Sequence, residues 1–283
     1  MAVLGASLAL GATGAALADK PQRIVSLNLC SDQILLDLVS RERIAALSFL
    51  ALDPTMTLKA DQARGIKTVR GSAEEVLALD PDLILAGEYS TPATVSLLER
   101  LGRRVVKVPM ASTFEEIRKS VNVIAEAVGE QDRGHAVIAE FDKRISTASA
   151  PTGAWHPTVI AMQVNSLASG SGSLLDEAFT AAGFKNMARV ADEKGMLGPA
   201  GRLPLETLLL DPPDLIVLAN APDDFRTVLG DNLRHPAFEK HLRTHPSLHL
   251  AMPLWLCGTP EIARVIEKLN AFRRTMSPDR RAP

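Results

Sequence analysis

The chain has 283 residues, 46% of them hydrophobic and 23% charged, and its 31 basic and 33 acidic side chains leave a formal net charge of −2. With no basic excess to displace counterions from phosphates, this balance excludes sequence-independent nucleic-acid binding and a polybasic membrane patch as principal functions. The length suits one large α/β domain or two of roughly 130 residues, and aromatic residues are scarce enough, at 4%, that the place of each is informative.

Residues 1–18, MAVLGASLALGATGAALA, carry no charge, are rich in Ala, Leu and Gly, and end in Ala16-Leu17-Ala18. This pattern reads as a secretory signal peptide cleaved after Ala18, which places the mature chain in the periplasm. The n-region has no Lys or Arg, its one departure from the usual form. No later segment approaches the roughly 18 apolar residues of a membrane span. Cys30 is a poor lipobox, because Asn28 and Leu29 stand where small residues are needed.

The mature chain then alternates short β-type runs with helical patterns, as parallel sheets covered by helices do. In the first half the spacing predicts strands near 22–27, 44–48, 67–70, 82–86 and 104–109, with helices at about 31–40, 73–79 and 92–101. Residues 113–149 break the alternation. Thr113-Phe114-Glu115-Glu116 has the form of a capping box, Ile117, Val121, Ile124 and Val128 make one apolar stripe, and after Gly129 a second stripe runs through Ile138, Phe141 and Ile145. Alternation resumes with strands near 157–163, 214–218 and 248–256 and a final helix from about 260 to 275. The parse is therefore a signal at 1–18, an N-terminal α/β lobe at 19–112, a helical segment at 113–152 and a C-terminal α/β lobe at 153–283.

An internal repeat supports two lobes. Residues 70–84 (RGSAEEVLALDPDLI) align without gaps on residues 202–216 (RLPLETLLLDPPDLI), at a constant offset of 132. Each copy reads as a short helix, a proline that cannot continue it, an Asp and a buried strand. The alignment puts Glu74 opposite Glu206. A first-turn glutamate also complements the helix macrodipole, so either one alone would mean little.

Taken in order, the Arg23–Leu27 strand with Asn28-Leu29-Cys30-Ser31-Asp32 after it, Glu74 through Asp82-Leu83-Ile84-Leu85, the helices of 113–149, Gly172-Ser173-Leu174-Leu175-Asp176-Glu177 and Pro204-Leu205-Glu206 resemble the iron-siderophore and cobalamin class of periplasmic ABC-transporter substrate-binding proteins. The resemblance covers essentially the whole mature chain. It implies two Rossmann-like lobes with mostly parallel sheets, joined by a long helix, and a ligand held in the cleft between them. It also implies a receptor without chemistry of its own, which delivers a ferric siderophore, cobalamin or related chelate to the permease dimer of an importer in the inner membrane. In that class one glutamate on each lobe docks onto permease arginines, and the matching positions here are Glu74 and Glu206, with Glu75 the alternative to the first. Fixed carboxylates suit this task, since charge complementarity sets register and on-rate more than affinity.

In such an architecture ligands meet residues just after strands. This selects Asn28, Cys30, Ser31, Asp32, Arg70, Glu88, Tyr89, Ser90 and Met110 in the first lobe. In the second it selects Asn165, Ser166, the stretch from Met196 to Arg202, Asn220 and the stretch from Trp255 to Gly258. The favoured contacts are Asn28, Cys30, Ser31, Asp32, Arg70, Tyr89, Met110, Met196, Arg202 and Trp255. Tyr89 and Trp255 offer aromatic walls for a macrocycle or bulky chelate; core packing is the other reading of Trp255, and a solvated surface position the other reading of the two arginines. Cys30 and Cys257 have three readings: a disulfide between the lobes, two buried thiols, or thiols touching the ligand or its metal.

His235, His241, His245 and His249 fall within fifteen residues, but Pro246 ends any helix shared by His241 and His245, and no acidic or cysteine ligand accompanies them. Capping and solvation are the expected roles rather than metal binding. Gly170-Ser171-Gly172-Ser173 lacks the lysine of a phosphate-binding loop and the third glycine of a dinucleotide fingerprint, and it reads as a loop ending in a Ser173 cap. Neither a nucleophile elbow nor an H-E-x-x-H sequence is present. The sequence thus points to no catalytic residue, metal-ligand set or resident cofactor, and to a monomer. The alternatives are a bare-metal or haem receptor of the same fold, and an extracytoplasmic α/β enzyme.

Overall fold

A computed structural model describes residues 20–88, 90–151, 153, 155–163, 168–193, 201–218 and 235–276. The signal expected at 1–18 therefore lies outside the described residues, as do Tyr89, Asn165, Ser166, Met196 and Asn220.

The first lobe runs β1 (Ile24–Ser26), α1 (Leu29–Leu38), β2 (Ile44–Ser48), α2 (Ala60–Ala63), β3 (Thr68–Val69), α3 (Ala73–Leu77), β4 (Leu83–Gly87), α4 (Pro92–Arg100) and β5 (Val105–Val108). Its five strands lie in the order β3-β2-β1-β4-β5, and every pairing is parallel. Two helices follow, α5 (Phe114–Val128) and α6 (Gln131–Ala148). The second lobe comprises β6 (Thr158–Met162), α7 (Leu174–Ala181), β7 (Lys185–Asn186), α8 (Met187–Glu193), α9 (Leu205–Leu210), β8 (Leu215–Leu218), α10 (Pro236–Leu242), β9 (Ser247–His249) and α11 (Ala263–Arg273). Its four strands, in the order β7-β6-β8-β9, are also parallel.

Both sheets are covered on both faces, which explains why their strands are continuous apolar runs rather than alternating ones. Leu83 and Leu85 face the core under α1 and α5, while Ile84 between them joins Val25, Ala46 and Leu98 on the other face. In the second lobe Val159 and Ala161 face α7 and α11, and Ile160 and Met162 pack with Phe238 of α10. Each such Leu or Ile, wholly removed from water, contributes about 1.5–3 kcal/mol.

The repeat has a structural role that its alignment alone does not show. Asp82 accepts hydrogen bonds from the backbone N–H groups of Gln22 (2.6 Å) and Arg23 (3.0 Å), just before β1. Asp214 does the same for Thr158 at the start of β6, accepting from its backbone N–H (2.7 Å) and its hydroxyl (2.8 Å). Each copy thus clamps its own strand to the central strand beside it, β4 to β1 and β8 to β6.

The helical segment belongs to both lobes. Thr113 and Glu116 form the expected capping box, and α5 ends at Gly129 with φ 74°, a left-handed position that favours glycine. Arg43 completes that end by donating to the Val128 carbonyl at 2.6 Å. Phe114 and Ile117 at the start of α5 sit in the core of the second lobe, whereas Val121, Ile124 and Val128 sit in that of the first. Antiparallel to it, α6 packs Val137 and Ile138 on the first core and Phe141, Ile145 and Ala148 on the second. The start of α5 is further tied to the second lobe by Glu177, which accepts from the Phe114 N–H at 2.6 Å.

The run predicted as a strand over 248–256 is only Ser247–His249, followed by a 3-10 turn over Met252–Leu254. Pro253 has no N–H for the sheet ladder, and the chain turns there.

Candidate functional site

In an open parallel sheet the crevice forms where neighbouring strands send their connections to opposite faces. In the first lobe that point lies between β1 and β4, and in the second between β6 and β8. The residues that follow β1, β4 and β5 line a cleft of about 430 Å³, walled on its far side by the Trp255–Gly258 loop and the start of α7. An adjoining hollow of about 460 Å³ shares Gly87, Glu88, Val108 and Pro109 with it and reaches Pro92, Val95 and Lys107. Both volumes are within the usual range for small-molecule sites.

The floor is built around the start of α1. Asn28, in extended conformation, caps that helix by accepting from the N–H groups of Cys30 (2.9 Å) and Ser31 (3.2 Å). Asn28, Cys30 and Ser31 all line the cleft, as do Glu88 after β4 and Met110 after β5, whose side chain is 49% exposed. From the second lobe come Ser173, Leu174, Trp255, Leu256 and Cys257. Trp255 stands at the edge of both the cleft and the second core. Its ring lines the cleft, packs partly on the second core and donates its indole N–H to the Leu250 carbonyl at 3.3 Å.

Cys30 and Cys257 are joined by a disulfide, with Cα atoms 5.2 Å apart. The bond lies on the cleft floor and links the lobes. Next to it the backbone of Gly258 lies so close to the segment that leaves β5 that a Cβ there would come within 2.2 Å of the carbonyl oxygen of Ala111, whose side chain packs in the second core.

Three of the expected contacts stand elsewhere. Asp32 is wholly buried beneath the floor, where it accepts from the backbone N–H of Ser48 at 3.2 Å and from the Ser48 hydroxyl. It ties the end of β2 to α1, and burial pushes its carboxyl up to about 7, against the opposing hydrogen bonds from Ser26 and Ser48. Arg70 is exposed outside the walls of the cleft, its guanidinium 5.2 Å over the Phe49 ring. Arg202 is also exposed and outside those walls. The position after a strand does not tell an inward-facing side chain from one that packs beneath.

Conversely, Leu50 and Met56 line the cleft and were missed. They follow β2, so the same after-strand rule pointed to them. Ser112 and Ser120 also line it; Ser120 is in mid-helix, where no sequence signal marks it.

Among the described residues lining the cleft, Glu88 is the only charged side chain. The other polar or polarisable groups are amide, hydroxyl and thioether, set in apolar walls. No group of three or more His, Cys, Asp or Glu side chains that could hold a metal ion occurs among the described residues. His241 and His245 stack on each other, ring centres 3.6 Å apart, and His235 caps α10 by accepting from the Ala237 N–H at 3.2 Å. Burial, and to a lesser degree the charge of His245, holds His241 below the ordinary histidine value.

The two repeated glutamates are exposed. Glu75 is occupied by the capping box of α3, where it accepts from the N–H groups of Arg70 (2.9 Å) and Ser72 (3.3 Å). Glu74 points to solvent in the first turn of α3, and Glu206 holds the same place in α9.

Residues 24–249, which span both sheets and the cleft lining up to the start of α7, match the family model described as periplasmic binding protein. The chain belongs to the periplasmic binding protein family. Solved structures that share its fold include a periplasmic heme-binding protein and a periplasmic vitamin B12 binding protein. This periplasmic binding protein is 25% identical over 215 residues to a cobalamin-binding protein of Halobacterium salinarum, which covers 75% of this chain and 57% of the relative. It therefore spans little more than half the length of that relative. Among solved structures, the apo periplasmic heme-binding protein RhuT from Roseiflexus sp. RS-1 superposes with a TM-score of 0.69 at 21% identity, over 88% of this chain and 97% of the other. The periplasmic vitamin B12 binding protein BtuF of Vibrio cholerae gives 0.64 at 16% identity, over 90% and 97%. At these identities the likeness shows the fold, two parallel-sheet lobes with helices between them.

Proposed function

We propose that this protein is an extracytoplasmic solute receptor that holds a corrinoid or metal chelate in the interlobe cleft and delivers it, unchanged, to the permease of an ABC importer. The observation that carries this reading is the composition of the cleft. Both lobes contribute to one recess at their sheets' switch points, and its described walls are apolar and aromatic, with hydroxyl and amide groups as anchors. A large ligand that is mostly apolar and rich in neutral polar groups, such as cobalamin, matches those walls better than a small hydrated ion or a highly charged anion. The likeness to a cobalamin-binding protein supports the same choice. Asn28, Ser31, Met110 and Trp255 are the contacts we assign.

Glu74 and Glu206 are the docking carboxylates in this reading. They are fixed on separate lobes, exposed and related by the repeat, and on the first lobe the capping box leaves Glu74 rather than Glu75 to meet a partner. The uncharged first 18 residues direct the chain out of the cytoplasm, and the receptor acts as a monomer.

A haem receptor is the second reading, favoured by the thioethers of Met56 and Met110 in the cleft, which are competent axial ligands for haem iron. Titration of tryptophan fluorescence with cobalamin, ferric siderophores and haemin separates the two. Cobalamin is expected to quench Trp255 with one-to-one stoichiometry and to be recovered with its mass unchanged. A Soret shift with haemin and no response to cobalamin would transfer the assignment to haem. Silence towards all three, or chemical conversion of the ligand, would overturn the receptor reading.

A further inference from the structure

The bond between Cys30 and Cys257 is the only covalent connection between the lobes apart from the chain itself, since no other cysteine is present. It joins residues 227 positions apart and lies on the floor of the cleft. Cys30 is in the first turn of α1. Cys257, 3% exposed, precedes the turn that leads into α11. The neighbouring contacts are non-covalent. The Gly258 backbone rests on Ala111, and Lys59, paired with Asp37 of its own lobe, has its ammonium 3.9 Å from Glu261 of the other. While the disulfide is intact its two Cα atoms must stay within about 4.4–6.8 Å of each other. Once it is cleaved, the contacts that hold the floor together among the described residues are non-covalent: local packing, the long Lys59–Glu261 ion pair and the shared helices α5 and α6.

We infer that this disulfide is a redox-sensitive latch that sets the width of the cleft, so that the oxidised receptor binds through a preformed opening and the reduced one opens and holds its ligand less tightly. The inference rests on the reading of the cleft as the ligand site. An external dithiol supplies the two electrons. Its thiolate attacks Sγ of Cys30, the less buried member of the pair. The Sγ–Sγ bond breaks, and Cys257 leaves as a thiolate that takes up a proton. The second thiol of the reductant then displaces Cys30, which leaves from the first turn of α1, where the helix N-terminus favours a thiolate, and the reductant is released as its own disulfide.

The test compares the full chain as purified, the same chain reduced with dithiothreitol, and the Cys30→Ser/Cys257→Ser pair, by small-angle scattering, amide exchange over 250–262 and cobalamin titration. Expected are a larger radius of gyration and faster exchange in both unlatched forms. If the closed arrangement then falls to about a tenth of the population, cobalamin affinity drops about tenfold. Identical scattering and exchange in all three forms would overturn the latch, and so would loss of circular dichroism on reduction, which would make the bond a staple for folding. If cobalamin bound none of the three, the ligand assignment would fail, and scattering and exchange would still decide the latch.

Discussion

Replacing Asp32 with asparagine isolates the effect of one buried proton. Asp32 is wholly enclosed under the cleft floor, and burial raises its carboxyl from 3.8 to about 7. A carboxyl group whose folded value exceeds its unfolded value holds its proton more tightly in the native state. The stability it permits is complete below the unfolded value and is lost as pH rises towards the folded one. At about 1.4 kcal/mol per pH unit, the loss between about pH 4 and pH 7 amounts to about 4 kcal/mol. Asparagine keeps the shape without titrating. In urea unfolding followed by tryptophan fluorescence, the difference in unfolding free energy between wild type and Asp32→Asn should fall by about 4 kcal/mol from pH 4 to pH 8. Groups that shift in either direction, such as Glu130, lowered chiefly by Lys20, are common to both proteins and cancel in the difference. A difference independent of pH, or one that favours wild type more at higher pH, would refute the burial argument.

Three further outcomes are expected. Glu74→Ala and Glu206→Ala should each impair ligand uptake in cells while leaving the affinity of the purified receptor within twofold or so, as befits contacts that set docking register; lost ligand binding in either would refute the docking role. Because His241 is held below its ordinary value by burial, it stabilises the neutral side of its titration, and that contribution is lost as pH falls through and below about 6.5; thermal melts of His241→Phe should show a weaker decline on acidification than wild type. Gly258→Ala places a methyl group within 2.2 Å of the Ala111 carbonyl oxygen, so unfolding free energy should drop by about 1–3 kcal/mol, and cobalamin titration should show weaker binding as the Trp255 loop is pushed off the floor.

The α/β alternation, the capping box at Thr113, the Gly129 terminus and the repeat were all legible in the residues, because each depends on local patterning. Their structural uses were less so. The alignment matched Asp82 with Asp214, but only the structure shows each closing a strand pair. Asp32 and Asn28 lie on the same turn, and composition ranks the two alike as polar groups after a strand. What separates them is which way the first turn of α1 faces, and that is decided by packing against β2. The two-residue strand Lys185–Asn186 is too short to leave a period in the sequence. Pairing of Cys30 with Cys257 depends on a distance between lobes that no spacing of 227 residues encodes.

The helices that pass between the lobes also bear on how the molecule comes apart. Because α5 and α6 each give one end to the first core and the other to the second, neither sheet has a complete hydrophobic partner without the segment that completes its neighbour. Melting one lobe strips apolar cover from the other. Denaturation should therefore proceed as one cooperative transition despite two sheets and two cores, and either half produced on its own would expose the helix surface that the absent half normally covers.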